Sequence, residues 1–179
     1  MNYFLKRFLI QLTIMEKTIL GNDLEICRIL NGMWQVAGGH GQIDSQLAIQ
    51  DMEKYQKLGF TTWDLADIYG PAESLIGDFN KKDKYNFQAF TKFVPNPGPM
   101  SNSIVTYYIE ESLKKMNVKC IDLLQFHWWD YQDSSYLDAL QHLSKLQNEG
   151  KIKHLGLTNF DTERIKIIIE KGFKIISNQ

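Results

Sequence analysis

Two features of the sequence predict an α/β fold of the barrel type. Strand-like apolar runs alternate with amphipathic helical stretches, and the strand ends fall near 34, 64, 92, 127, 158 and 178. A spacing of roughly thirty residues is that of a βαβ unit, and such alternation dictates a parallel sheet. No Gly-x-Gly-x-x-Gly follows any of the runs, which favours a barrel over a doubly wound dinucleotide-binding sheet. A TIM-type (β/α)8 barrel takes eight units and about 250 residues. The 179 residues hold about six units, so an incomplete barrel is expected.

The elements follow in order. Lys17–Leu20 and Leu24–Cys27 flank Gly21-Asn22-Asp23 and read as a β-hairpin. Arg28 to Trp34 is the first buried strand, and Gly38-Gly39-His40-Gly41 after it reads as a loose loop. Without P-loop residues its glycines offer a phosphate little. Helix one opens on Asp44 as N-cap, shows Ala48, Met52 and Tyr55 on one face, and ends before Gly59. Strand two is Phe60 to Leu65, and a short helix two starts with Pro71 in its first turn, where a missing N–H costs nothing. Strand three ends at Lys92, and Val94-Pro95-Asn96-Pro97-Gly98-Pro99 is an irregular loop.

Ser101 caps helix three, whose expected buried stripe is Ile104, Val105, Tyr108, Ser112, Leu113 and Met116. Strand four is Ile121 to His127. Helix four carries Tyr136, Leu140, Leu143 and Leu146 and stops at Gly150. Strand five is Ile152 to Leu157, helix five spans about Thr162 to Lys171, and strand six is Phe173 to Asn178. Residues 15–179 thus form one partial barrel domain. The segment before them is apolar but interrupted by Lys6 and Arg7, with no small-residue cleavage site. It reads as a disordered leader, or as extra chain upstream of a start at Met15, rather than a signal peptide.

Apolar residues make up 44% and charged residues 23% of the chain, with a net charge of −1. A balance without basic clusters argues against nucleic acid or an anionic membrane as partner. Cys27 and Cys120 are far apart and fit reduced, buried thiols of a cytoplasmic protein. His40, His142 and His154 lack partners at metal-ligand spacing, so no metal is expected and surface or helix-end roles are the default.

Chemistry gathers at the strand ends. In β/α barrels the reacting groups sit on the loops after the C-terminal strand ends, and Asp64, Tyr69, Lys92 and His127 all fall there. Together they make a plausible proton-transfer set. An ammonium at Lys92 is expected to lower the pKa of the Tyr69 phenol, and Asp64 to pair with Lys92 and hold it. His127 is suited to donating a second hydrogen bond to the same substrate oxygen. Trp128-Trp129 walls a pocket or packs against neighbouring loops; both readings stay open here.

Asp64-x-Ala66-x-x-Tyr69-Gly70, Thr91-Lys92, Leu123-Leu124-Gln125-Phe126-His127-Trp128, Gly156-Leu157-Thr158-Asn159-Phe160 and Ser177-Asn178-Gln179 occur in that order. Together they resemble the signature of the aldo-keto reductases, from about Met15 to Gln179. The resemblance implies reduction of an aldehyde or ketone by hydride from NADPH. Tyr69 is then the general acid, Asp64 and Lys92 tune it, and His127 orients the carbonyl. It also implies that Trp34, Asp64, Thr158, Asn159 and Gln179 line the cofactor, the last three holding the nicotinamide carboxamide. Serine is commoner than threonine at the position of Thr158.

In that family the 2′-phosphate and pyrophosphate contacts come largely from chain beyond the point where this sequence stops. Weak NADPH binding by this chain alone is therefore expected. Strands one and six are expected to be open edges prone to self-association. Three readings stand side by side: a carbonyl reductase, a non-catalytic regulatory or scaffold protein of the superfamily, and an inactive truncated product.

Overall fold

The structure, a computed structural model, describes residues 15–39, 41, 43–82 and 86–179; the expected leader and His40 lie outside them. β1 (Lys17–Leu20) and β2 (Leu24–Cys27) form the antiparallel hairpin, with Lys17 opposite Cys27. Gly21 makes its turn at a positive φ of 64°, which a side chain would strain. Leu24 and Ile26 of the hairpin are buried and pack against Phe90 and Leu123 at the bottom of the barrel interior.

Six parallel strands follow in one sheet, in sequential order. They are β3 (Asn31–Gly32), β4 (Thr62–Asp64), β5 (Gln88–Phe93), β6 (Ile121–His127), β7 (Ile152–Thr158) and β8 (Ile175–Asn178). Five helices cross between them: α1 (Ser45–Lys57), α2 (Ala72–Asn80), α3 (Asn102–Met116), α4 (Tyr136–Asn148) and α5 (Thr162–Glu170). Successive strands that neighbour one another with a helix between them are successive units of a β/α barrel. The partial barrel of about six units is thus the observed architecture. β3 and β8 end the ladder on either side.

The period of two along each strand divides the molecule. On β6, Leu124 and Phe126 face outward into a core with Val105, Ile109, Leu140, Leu143 and Ile168. On β5, Phe90 lies with the hairpin inside the barrel while Ala89 and Phe93 join the outer cores. The inward residues nearest the C-terminal strand ends are therefore Asp64, Lys92, Gln125, His127 and Thr158, all polar. Apolar burial outside carries the fold and leaves the inner top free for chemistry.

Several elements differ from expectation. The first strand was expected from Arg28 to Trp34, yet β3 pairs only at Asn31 and Gly32, and Trp34 opens a 3-10 turn to Ala37. Among the described residues this strand has one neighbour, and the Asn31 side-chain amide donates to Phe60 O and Thr62 O in place of further ladder bonds. Ile29, expected inside, is 59% exposed at this edge. β4 is shorter than Phe60 to Leu65, and β8 shorter than Phe173 to Asn178, with a register irregularity against Leu155 and Leu157.

Asp44 caps α1, accepting from Gln46 N and Leu47 N, but the buried residues are Ile49 and Met52 while Tyr55 is exposed. Ser101 caps α3 as expected. Its buried stripe is Val105, Ile109, Ser112 and Met116, a strict i, i+4, i+7, i+11 row, and Ile104 and Tyr108 lie on the adjacent exposed face. Tyr136, Leu140, Leu143 and Leu146 of α4 are buried as expected. Cys27 is buried, but Cys120 is exposed, correcting the expectation of two buried thiols; it sits in the turn between α3 and β6. His154 is not a surface or helix-end residue either: it lies half-buried on β7, with Nε2 3.5 Å from Asp23 of the hairpin turn. Among the described residues, no helix is long and apolar enough to cross a membrane.

Gly77 fixes how closely α2 approaches α3. A Cβ there would stand 2.0 Å from the Lys115 carbonyl oxygen, a backbone atom that cannot swing aside. Gly77→Ala should therefore destabilise by about 1–3 kcal/mol through overpacking despite the better helix propensity of alanine. Urea unfolding of the two proteins measures this, and equal midpoints would refute it.

Candidate active site

β4 ends in Asp64, the turn to α2 carries Tyr69, β5 carries Lys92 next to its last residue, and β6 ends in His127. All four expected residues thus lie at the same end of the sheet. Lys92 is 4% exposed, and its ammonium lies 2.7 Å from Oδ1 and 2.8 Å from Oδ2 of Asp64. The third ammonium hydrogen goes to Leu65 O at 2.9 Å, so every donor of the buried cation is used. Asp64 is matched in turn: Gln125 Nε2 donates to Oδ1 at 2.9 Å and Gln179 Nε2 to Oδ2 at 3.2 Å.

Lys92 Nζ also lies over the Tyr69 ring, 5.2 Å from its centroid. The ammonium therefore meets the ring face with most of its charge balanced by Asp64. The expectation that Lys92 lowers the phenol pKa does not hold in this arrangement. Burial, and then the Asp64 charge, push the Tyr69 phenol up, so it keeps its proton at neutral pH. Trp34, on the 3-10 turn, packs against the same ring edge-on, with centroids 5.0 Å apart at 74°.

His127 is nearly buried and faces Asn159, whose Nδ2 lies 3.4 Å from its Nε2. Asn159 holds a left-handed φ of 63°, which asparagine tolerates better than most residues. Its N–H donates to Gln179 O at 2.9 Å and its carbonyl accepts from Tyr131 Oη at 2.7 Å. Thr158 pairs with His127 across the ladder, and its Oγ1 is buried without a hydrogen-bond partner among the described residues. Such an orphaned hydroxyl is suited to an amide brought by a ligand.

The Trp128-Trp129 pair divides between its two readings. Trp128 is 1% exposed and donates from Nε1 to Asp130 O and Asp133 O, so it packs. Trp129 is 57% exposed and stacks on His127, with centroids 4.1 Å apart. Gln125, part of the motif around His127 but given no role from the sequence, lies two residues before His127 on the same strand face, where period two marks it as a site residue. Gln179 was expected at the cofactor alone, whereas its side chain here reaches Asp64 across 115 residues of sequence. Among the described residues no group of His, Cys, Asp and Glu is placed to hold a metal ion.

Burial, and then the Lys92 charge, push the His127 pKa below its ordinary 6.5. A base with a depressed folded pKa contributes stability that is present above the unfolded value and lost as pH falls through the folded one. Stability should therefore decline on acidification below pH 6.5, and His127→Gln should lessen that decline. Denaturant midpoints across the acidic range test the point; an unchanged slope in the variant would contradict it.

The model of the aldo/keto reductase family matches residues 28–179. A 6-dehydroglucose reductase of Agrobacterium fabrum is 30% identical over 167 residues, covering 82% of this chain and 54% of the relative. An NADH-specific methylglyoxal reductase of Escherichia coli is 24% identical, with 88% and 56% covered. Among solved structures, a Bombyx mori aldo-keto reductase in complex with NADP superposes with a TM-score of 0.77 at 19% identity, over 93% of this chain and 58% of that one. The chain thus spans about half the length of the curated relatives it matches. A match from Arg28 to Gln179, with Asp64, Tyr69, Lys92 and His127 inside it at adjoining strand ends, makes the chain a member of the aldo/keto reductase family.

Proposed function

We propose that this chain carries the chemical end of a carbonyl reductase site that uses NADPH, with Tyr69 as general acid. The observation that carries the reading is Lys92: a buried ammonium held by both oxygens of Asp64 and lying against the Tyr69 ring. Perturbed groups assembled in this way at the C-terminal strand ends of a barrel are the usual mark of a reaction centre.

Trp34, Thr158, Asn159 and Gln179 would hold the nicotinamide end of the cofactor, with Asp64 beside them. The orphaned Thr158 hydroxyl and the exposed amides of Asn159 and Gln179 suit a carboxamide. When bound, a reduced nicotinamide supplies the hydride that the carbonyl carbon accepts. The chain supplies the proton. Tyr69 Oη gives it to the carbonyl oxygen as negative charge develops there, and the phenol, pushed up in pKa, carries that proton at neutral pH. The Lys92 ammonium, fixed by Asp64 and lying against the ring, is the cation that would attract the phenolate that remains, with Asp64 limiting how far. His127, neutral because its pKa is depressed, orients the oxygen by donating an N–H. Trp129 covers one face of its ring and keeps water from it.

The natural reductant and substrate are part of what we propose, since the chain spans about half the length of the relatives named above. The cytoplasmic reading and self-association through β3 and β8 belong to it as well. With NADPH and 4-nitrobenzaldehyde, turnover by the chain is expected to be slow. Tyr69→Phe should reduce it by about 10²–10⁴, the usual contribution of a general acid, while the circular dichroism spectrum stays unchanged. Equal turnover in the variant would remove Tyr69 from the role. A folded chain that neither quenches nor enhances NADPH fluorescence would favour the scaffold reading instead.

A further inference from the structure

Asp67 stands two residues before Tyr69 and takes no part in the chemistry described above. Beyond the end of β4 the chain continues to bond to β5: Leu65 N–H donates to Phe90 O at 2.8 Å and Asp67 N–H to Lys92 O at 3.0 Å. The Asp67 side chain then takes hold of the same strand from its own end. Its Oδ2 accepts the Val94 N–H at 3.2 Å. One residue thus grips both Lys92 and Val94. The turn it anchors closes at once, through Tyr69 N–H to Ala66 O and Ala72 N–H to Tyr69 O, each 3.0 Å.

The surroundings of this carboxyl are unfavourable for a charge. Oδ1 is buried without a hydrogen-bond partner among the described residues, and so is Glu73 Oε2. Glu73, on α2, is 2% exposed; its Oε1 accepts from Thr91 Oγ1 at 2.8 Å and its Oε2 lies 3.6 Å from Lys115 Nζ on α3. Glu73 and Lys115 are the charged groups that face Asp67, the first opposing its charge and the second favouring it. Burial, chiefly, and Glu73 push the Asp67 carboxyl up to about 6, against the hydrogen bonds from Val94 and Ile68.

A clamp with no further task would not need a carboxylate here. An asparagine offers Val94 the same acceptor without burying a charge beside another carboxylate. What the carboxylate adds is a stronger, charge-assisted bond to the backbone N–H groups, and that charge assistance is lost when the group takes up a proton, leaving the weaker acceptor of a neutral carboxyl. We propose that Asp67 is a positioning residue for Tyr69: its ionised carboxylate fastens the phenol-bearing turn to the end of the strand that bears Lys92, and protonation loosens it. The proposal rests on reading Tyr69 as the acid only for its consequence, since the movement of the turn is measurable without turnover.

The stability effect has a definite sign. A carboxyl raised in the folded state contributes stability that is present below its ordinary value of 3.8 and lost as pH rises through about 6. Holding the charge therefore costs the native state on the alkaline side, and Asp67→Asn should melt higher than the parent there while matching it in acid.

The test is NMR of the chain labelled in its tyrosine rings, with the Tyr69 signals identified by their loss in Tyr69→Phe. In the parent these signals should shift with a midpoint near pH 6. Asp67→Asn should abolish that transition, and Glu73→Gln should move it to lower pH by removing the facing negative charge. A Tyr69 signal without a transition in the parent would overturn the proposal. So would a transition that persists in Asp67→Asn, which would belong to another group such as His127. Loss of turnover in Tyr69→Phe together with either of those outcomes would leave the acid in place and remove Asp67 from its role.

Discussion

The ion pair between Asp64 and Lys92 is the constraint around which the upper end of this molecule is arranged. Two charges inside a protein cost several kcal/mol each to desolvate, and only complete hydrogen bonding offsets that cost. Here it is complete on the cation, whose three hydrogens reach Asp64 Oδ1, Asp64 Oδ2 and Leu65 O. It is nearly so on the anion, which also draws in Gln125 and Gln179. Those partners come from β4, β5, β6 and the end of β8, so one carboxylate ties together strands far apart in sequence. Well-packed apolar residues would stabilise the same space as well or better. The pair is therefore better understood as positioning Tyr69 and the strand ends than as holding the fold together.

The fold itself is secured elsewhere, and this division is what permits so polar an interior. Outward-facing Leu124, Phe126, Leu155 and Leu157 bury themselves against α3, α4 and α5. Trp63 and Ala89 do so against α1 and α2. The hairpin plugs the lower interior with Leu24 and Ile26. Alternation then leaves the inward positions nearest the top with no packing duty. β3 and β8, with one neighbour each among the described residues, are the weakest part of this scheme. There the alternation fails first, with Ile29 exposed and the first strand reduced to two residues.

How much was legible in the sequence follows the same physics. The order of elements was readable because helix caps such as Asp44 and Ser101, and the run from Ile121 to His127, are local signals. Asp64, Lys92 and His127 were readable as strand-end polar residues closing apolar runs. The extent of β3 was not, because pairing at an edge depends on a neighbour that the sequence pattern does not display. The stripe of α3 differs from expectation because Ile104 and Tyr108 are apolar yet lie largely exposed beside the buried row, the Tyr108 ring touching Phe93. The direction of the Tyr69 shift was misread for a geometric reason. A lysine near a phenol lowers its pKa only when its charge is uncompensated and meets the hydroxyl, whereas Lys92 is neutralised by Asp64 and faces the ring. Gln179 reaching Asp64 depends on how the strands assemble around the interior, which no local pattern contains.

In the role proposed for Tyr69, a raised phenol pKa makes the group a weaker acid, so its conjugate base would have to be stabilised as it forms. Lys92 already stands against the ring, and Asp64 is balanced by two amides that can shift without breaking the ion pair. Were Tyr69 to give up its proton as proposed, the new negative charge would compete with Asp64 for the same ammonium. The Asp64 charge that holds the phenol protonated beforehand thus also limits how far Lys92 can favour phenolate. The proposed proton transfer is accordingly a balance between the Asp64 and Lys92 charges. That balance depends on distances fixed by the turn from Leu65 to Gly70. A costly carboxylate at Asp67 is understandable in that position, because a small displacement of the turn changes every distance on which the balance rests.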